Sequence, residues 1–544
     1  MSNFYGYVVF VLHAHIPYVL KHDRMDEEWL YEAMAETYIP LLNILKRLDQ
    51  EKQSPKIVFS FSPVLLEQLV HPHFKYGFKE YCRMKANFAE KDEIDFKAYN
   101  MHRSWLAGLW KNFYLKTLDI FEKKYNEDIV AAFRELQDKG QLEVIISAAT
   151  HSYLSLLSRD VSISAQIKMA IKTYEKMFWR EPSGIWLPEC GYRPAGWWKN
   201  PLPSYSYKEA YWRKGIEEFL DENDLYYFII DQNQLMKAAP YDLKKTPFDT
   251  YYLTTPWIRK RPVTVFSRDI QLSRQVWEHH FGYPGDAVYL DFHKKHLGGW
   301  LRYWKITDPH ADLQYKHDYY PDDAFGKKVL EHAGHYKWLI KESLKNNYYV
   351  TGEAKIVCIA FDAELFGHWW FEGPMWLYYV LKWINMDPEI KLITCSEYIQ
   401  QKPAYNYISL PESSWGKNYD SSTWINPEVY WVWEKVYDAE NEMFYLANHF
   451  INRKEEEPLK SILRQIMREL LLLQASDWEF MITNWSTRDH AEARASQHHS
   501  DFRRLAKLAW DYGQGKWIDQ SEWDFLGFDK WLRDIFEPEL NWYL

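Results

Sequence analysis

The chain is 544 residues long, 47% hydrophobic and 26% charged, with a formal net charge of −10. That acidic balance, with no Lys/Arg stripe, argues against nucleic acid as a partner and offers no basic face to a membrane surface. The length is more than one simple core needs and allows about three or four domains, fewer where a barrel takes more than its share.

Residues 7–12 form a continuous apolar run that reads as a buried strand, ending at His13-Ala14-His15-Ile16-Pro17. Strand alternation puts His13 and His15 on one face. Residues 27–49 read as helix, and 56–61 as a second strand ending at Ser62-Pro63. From about 65 to 126 no strand stands out and aromatics mix with Lys and Glu, which predicts a helical insertion. A helix over 128–139, closed by Gly140, leads to a third strand at 142–147 and to His151. A short fourth strand at 184–187 delivers Pro188-Glu189-Cys190-Gly191-Tyr192. The fifth, 226–230, ends at Asp231, and the sixth, 263–266, runs to Arg268-Asp269, with an irregular stretch between. The seventh, 356–361, stops at Asp362 and is followed by Glu364, His368, Trp369, Trp370, Phe371 and Glu372. A run at 391–395 is a further strand with no assigned place. Beyond about Ser413 the pattern turns helical, at 428–449, 459–480 and 501–513.

Seven apolar, unalternating strands separated by helical material imply a parallel sheet covered on both faces. Polar residues gather where the strands end: His13, His15, His151, Glu189, Asp231, Arg268 and Asp362. In a barrel that end holds the site, so a barrel is expected over an open doubly wound sheet.

Aromatic residues make up 18% of the chain, with 28 Trp, 41 Tyr and 29 Phe. Rings beside polar residues in loop-like segments commonly stack on sugar faces. Trp277, Trp415, Trp424 and Trp478 are candidates for such a groove, although each taken singly reads first as a core residue. The four cysteines are scattered with no metal-finger spacing, which fits a reducing, cytoplasmic setting. The N-terminal apolar run has no basic flank and is too short to span a membrane.

Glu189 and Asp362 form the sharpest pair. Glycoside cleavage needs two carboxyl groups, one as acid/base and one as nucleophile or base, and apolar neighbours set their protonation. The plainer reading of each is an ion pair or a helix cap. His13-x-His15 is open to three readings: a metal pair completed by His151 and Asp362, hydrogen bonding to substrate hydroxyls, or a structural pair. Asp477, beside Trp478, reads either as a helical contribution to the cleft or as a solvated helix face.

Five short regions, in order, carry a resemblance: His13-Ala-His-Ile-Pro17; Gly140-Gln-Leu-Glu-Val144 leading to His151; Trp186-Leu-Pro-Glu-Cys-Gly-Tyr192; Phe361-Asp-Ala-Glu-Leu-Phe-Gly-His368; and Ser476-Asp-Trp478. The chain resembles glycoside hydrolase family 57, and within it the glycogen branching enzymes and the related amylases. The resemblance implies a (β/α)7 barrel over residues 1–400, interrupted by a helical insertion at about 65–126. It also implies a C-terminal α-helical domain over 401–544 that contributes to the cleft. It implies a 1,4-alpha-glucan branching enzyme acting with retention: Glu189 as nucleophile, Asp362 as acid/base, and His13, His15 and His151 holding the sugar. Trp277, Trp415, Trp424 and Trp478 would line the cleft, with Asp477 beside them and Arg268 among the substrate-binding residues. The expected partner is an α-glucan, with no metal and no cofactor. A mobile loop bearing a tyrosine is expected at 232–254, with Tyr241 the candidate and Tyr251 and Tyr252 competing. Hydrolysis or 4-α-glucan transfer on the same scaffold is the alternative activity.

Overall fold

The computed structural model describes residues 3–205, 208–255, 260–278 and 281–544. Seven parallel strands close into a barrel: β1 (Gly6–Ala14), β2 (Ile57–Phe61), β3 (Leu142–Ile146), β4 (Gly184–Ile185), β5 (Tyr227–Asp231), β6 (Thr264–Arg268) and β7 (Lys355–Asp362). β1 lies between β2 and β7, and pairs with β7 in register from Gly6↔Lys355 to His13↔Asp362. The seam is narrow. β6 meets β7 at Cys358↔Arg268 alone, backed by the Asp269 N–H donating to the Cys358 carbonyl at 2.8 Å. That contact makes the sheet a barrel rather than an open layer.

Both faces of the strands are apolar because both are covered. Val8, Phe10 and Leu12 of β1 join the large core beneath the surrounding helices, while Val9 and Val11 join a smaller core inside the barrel. That inner core also takes Val58, Ile145, Ile229, Phe266, Cys358 and Ala360. Continuing each alternation by two residues reaches His13, Ser60, Ser147, Asp231, Arg268 and Asp362. The inward parity of the strands therefore turns from apolar to polar at their C-terminal ends, and this change builds the site.

After β2 the chain enters two long helices, α1 (Pro72–Phe96) and α2 (Met101–Asp119), which pack on each other. Asn100 caps α2 by accepting from the Arg103 N–H at 3.0 Å. The C-terminal region contributes α3 (Tyr430–Phe450), α4 (Leu459–Leu473), α5 (Asp477–Thr483), α6 (Arg488–Gly513) and α7 (Gln520–Leu532). Its core encloses Arg533, whose guanidinium meets Glu469 and Asp501, each at 3.1 Å, and also Asp529. Tyr18, just after β1, donates its hydroxyl to the Leu532 carbonyl at 2.6 Å and ties this region to the barrel.

Several expectations change. The helix read over 459–480 is two helices, α4 and α5. Between them Ala475 forms a bridge with Ser152, and the Ser476 N–H donates to the His151 carbonyl at 3.2 Å. The site loop thus takes backbone groups that a continuous helix would have used. α6 starts at Arg488 rather than near 501, because its first turns are polar and show no apolar stripe. The run at 391–395 becomes Ile390–Leu392, which pairs with the start of β1. Tyr407–Ile408 adds a small strand beside Tyr251–Leu253, itself antiparallel to β6. Among the described residues no helix is long and apolar enough to cross a membrane.

Candidate active site

Glu189 sits on a tight turn after β4, with φ 60° and ψ 21°, and Cys190 follows it at φ 49°. Two successive non-glycine residues in the left-handed region are strained, and such strain persists only where surrounding contacts enforce it. Here the Trp415 N–H donates to the Glu189 carbonyl at 3.0 Å, and the Cys190 N–H to that of Leu187 at 2.9 Å. The side chain is held as firmly. Trp415 Nε1–H donates to Glu189 Oε2 at 2.8 Å, and Ser476 Oγ lies 3.2 Å from Oε1. The Trp415 indole is itself propped edge-on against Trp186, with ring centroids 5.1 Å apart.

Asp362 ends β7 opposite His13. Beside it Arg268 donates to Asp231 at 2.8 Å, and the guanidinium lies 5.1 Å from the Trp415 ring centre. Asp231 is fully buried, so the Arg268 charge is committed to it.

Three imidazoles complete the floor. His15 and His151 stack with centroids 4.1 Å apart, and His13 and His151 with centroids 4.9 Å apart. His13 Nε2 and His151 Nε2 are 2.9 Å apart. His15 Nδ1 meets Ser62 Oγ at 2.8 Å, and its Nε2 meets both Asp477 oxygens, at 3.1 and 3.0 Å. Glu364 accepts from the His15 N–H at 3.1 Å and from the Tyr38 hydroxyl, so it braces the loop after β1. Donor atoms of His15, His151 and Asp477 come within 4.8 Å of one another, the spacing of a metal cluster. Every ring nitrogen of the two histidines already has a protein partner, so the trio is a hydrogen-bonded cluster.

Burial decides the electrostatics. It pushes Glu189 up to about 8, helped by the charges of Asp362 and Asp477 and opposed by the hydrogen bonds from Trp415 and Ser476. Burial likewise pushes Asp362 up to about 6, against the pull of Arg268 and His15. Two interacting carboxyls titrate as a pair, so between about 6 and 8 the site holds one proton. Hydrogen bonding decides which carboxyl carries the charge. Glu189 accepts two donors that suit a carboxylate. Among the described residues no side chain donates to the Asp362 carboxyl, which favours the proton there. His13 and His151 are driven well below the usual imidazole range by burial, and are neutral.

The structure thus brings together Glu189, Asp362, His13, His15, His151, Arg268, Trp415 and Asp477. It does not bring in every ring. Trp424 and Trp478 are each 1% exposed, so the expectation that they offer open faces to a sugar does not hold here. Trp424 packs on Tyr153, and Trp478 donates Nε1–H to the Leu472 carbonyl at 3.0 Å within the helical core. Trp277 closes the helix Ile270–Trp277 after β6 and is 54% exposed. Tyr241 is 84% exposed, while Tyr251 is buried with its hydroxyl on Thr246, and Tyr252 packs on Tyr407. Ser60, Ser62 and Ser476 were not anticipated as site residues. The first lies two positions past the inward-facing Val58, and the last stands next to Asp477 in a motif already singled out.

Residues 9–411 match the family described as Glycosyl hydrolase family 57. The chain belongs to glycosyl hydrolase family 57. Residues 435–537 match a second family, described as 1,4-alpha-glucan branching enzyme, C-terminal. A 1,4-alpha-glucan branching enzyme of Thermococcus kodakarensis is 41% identical over 514 residues, which cover 92% of this chain and 73% of that protein. The crystal structure of a family 57 branching enzyme from Pyrococcus horikoshii aligns with a TM-score of 0.91 at 38% identity, over 99% of this chain and 97% of that one. The alpha-amylase AmyC of Thermotoga maritima aligns at 0.83 with 28% identity, over 99% of each chain. The closed barrel of seven parallel strands with its surrounding helices and C-terminal helical region is consistent with the (β/α)7 fold of this family.

Proposed function

We propose that this chain is a 1,4-alpha-glucan branching enzyme that works by retaining double displacement. The observation that carries the reading is the match of residues 435–537 to a branching-enzyme C-terminal domain, in a chain whose barrel presents a half-buried carboxyl pair. Asp362 protonates the leaving glycosidic oxygen while the Glu189 carboxylate attacks the anomeric carbon, forming a covalent glycosyl-enzyme. The cleaved end departs, and Asp362, now a base, takes the proton from an incoming sugar 6-hydroxyl as it displaces Glu189. An α-1,6 branch results and both carboxyls return to their starting states. His15, Arg268 and Asp477 act as substrate-binding residues over a floor held by His13 and His151, Trp415 and Trp277 as aromatic surfaces, and Tyr241 as the tyrosine of a covering loop. The chain divides into a catalytic part at 1–400 and a helical part at 401–544, and works in the cytoplasm on a glycogen-like polymer in glycogen biosynthesis.

A second reading, hydrolysis, is supported by the alignment with an alpha-amylase over the whole chain. The two differ only in whether water or a sugar hydroxyl meets Asp362, and a site that bound sugar keeps dry favours transfer. Incubation with amylose separates them. New α-1,6 linkages with few new reducing ends support branching; reducing ends without branches overturn it.

A further inference from the structure

Glu189 stands at one end of a line of four side chains that runs back into the barrel wall. Ser476 Oγ lies 3.2 Å from Glu189 Oε1 and 3.0 Å from His151 Nδ1. His151 Nε2 is 2.9 Å from His13 Nε2, and His13 Nδ1 is 3.1 Å from Ser60 Oγ. Ser60 Oγ is also 3.3 Å from the Ile146 carbonyl. All four side chains belong to residues no more than 4% exposed, so water does not complete their hydrogen bonding.

Each link needs one donor and one acceptor, and each member has one proton to give: a hydroxyl carries one O–H, a neutral imidazole one N–H. The direction at one end therefore fixes the rest. A carboxylate only accepts, so Ser476 donates to Glu189. Its oxygen then accepts from His151 Nδ1–H. His151 Nε2 is left bare and accepts from His13 Nε2–H. His13 Nδ1 is bare in turn and accepts from the Ser60 hydroxyl, which turns from the longer contact with Ile146. A second proton on His151 would set two N–H groups against each other at the 2.9 Å contact, while one on His13 would face Ser60 and turn its hydroxyl onto the Ile146 carbonyl.

We propose that Ser60, His13, His151 and Ser476 form a one-way hydrogen-bond relay whose direction is set by the charge on Glu189, with Ser476 as the positioning residue for the nucleophile. The role of Ser476 rests on the reading of Glu189 as nucleophile. The relay cannot reverse by passing its own protons along: each would move one place toward Glu189 and leave Ser60 as an alkoxide, and the Ile146 carbonyl has no proton to replace the loss. The direction consequently persists through the covalent intermediate, and Ser476 goes on donating to the ester.

The test reads histidine tautomers directly. Nitrogen NMR of the 15N-histidine-labelled enzyme distinguishes Nδ1–H from Nε2–H, with single His→Gln variants for assignment. In the native enzyme His151 is expected as Nδ1–H and His13 as Nε2–H. Glu189→Gln keeps the shape of the side chain, and Trp415 Nε1–H, which only donates, captures the amide oxygen at the Oε2 position. The amide NH2 then faces Ser476, which must accept from it and donate to His151 instead. Both histidines are expected to switch, to His151 Nε2–H and His13 Nδ1–H. Identical tautomers in the native and Glu189→Gln proteins would overturn the relay. In kinetics, Ser476→Ala should lose about ten- to a hundredfold in kcat/KM, the scale of one hydrogen bond to a charged group, and Ser476→Thr should recover most of it. Equal losses in both variants would overturn the positioning role. The nucleophile is tested apart, by azide rescue of Glu189→Ala to an anomerically inverted glycosyl azide. Tautomer switching without azide rescue keeps the relay and overturns its tie to the nucleophile; rescue without switching does the reverse.

Discussion

Asp477 Oδ2 lies 3.0 Å from His15 Nε2, and through this contact the first turn of α5 joins Trp415 and Ser476 in completing a site framed by the barrel strands. Asp477 is within reach only because the chain leaves α4 at residues 474–476 to bond the loop at Ser152 and His151. Asp477→Ala removes the acceptor of a half-buried imidazole and should lower stability by about 1–3 kcal/mol. It also removes one of the charges that raise Glu189, so the acid limb of the activity profile should move to lower pH. Chemical denaturation and a kcat/KM profile check the two effects separately.

The pH profile itself should be bell-shaped. Catalysis needs one proton on the pair, on Asp362, with Glu189 charged. Below about 6 both carboxyls are protonated and the nucleophile is lost; above about 8 both are ionised and the leaving oxygen has no acid. Maximal kcat/KM is therefore expected between these limits, measured with a substrate whose own protonation does not change there. Rates that are flat from pH 5 to 9 would contradict the coupled pair.

Trp415→Phe keeps a ring against Trp186 and deletes the Nε1–H that holds Glu189 Oε2 at 2.8 Å. Loss of that donor makes the carboxylate harder to form, so the acid limb should shift to higher pH. A hydrogen bond to a charged group is worth about 1.5–3 kcal/mol, so kcat/KM should fall about ten- to a hundredfold. Steady-state kinetics on amylose measures both.

Much of the fold was legible because the barrel strands are apolar on both faces and seldom resemble anything else. The C-terminal ends were legible for the same reason: His13, Asp231, Arg268 and Asp362 interrupt those runs abruptly. Ser60 was less visible, since a serine within an apolar strand reads as tolerated rather than functional, and only its parity with Val58 marks it. The break before Asp477 was hidden because residues 459–480 keep a helical pattern while the backbone bonds that interrupt it come from the distant loop at His151. Burial of Trp424 and Trp478 was equally out of reach, because an indole beside polar residues looks the same in a cleft and in a helical core. Closure of the barrel rests on a single register pair between β6 and β7, which no local pattern announces.

The helical core gives a stability prediction independent of the site. Arg533 meets Glu469 and Asp529, whose side chains are both 0% exposed. Arg533→Met leaves two carboxylates buried without their cation and should destabilise the protein by about 3–5 kcal/mol. Chemical denaturation monitored by tryptophan fluorescence should show an earlier midpoint.

The most direct measurement of the central claim is to trap the covalent intermediate. A 5-fluoro-glucosyl fluoride that glycosylates rapidly and turns over slowly should label the enzyme one-to-one. Peptide mapping by mass spectrometry should place the sugar on the peptide containing Glu189, with loss of the label in Glu189→Gln. Label on another carboxylate, or full activity with no covalent adduct and an inverted product, would contradict the account.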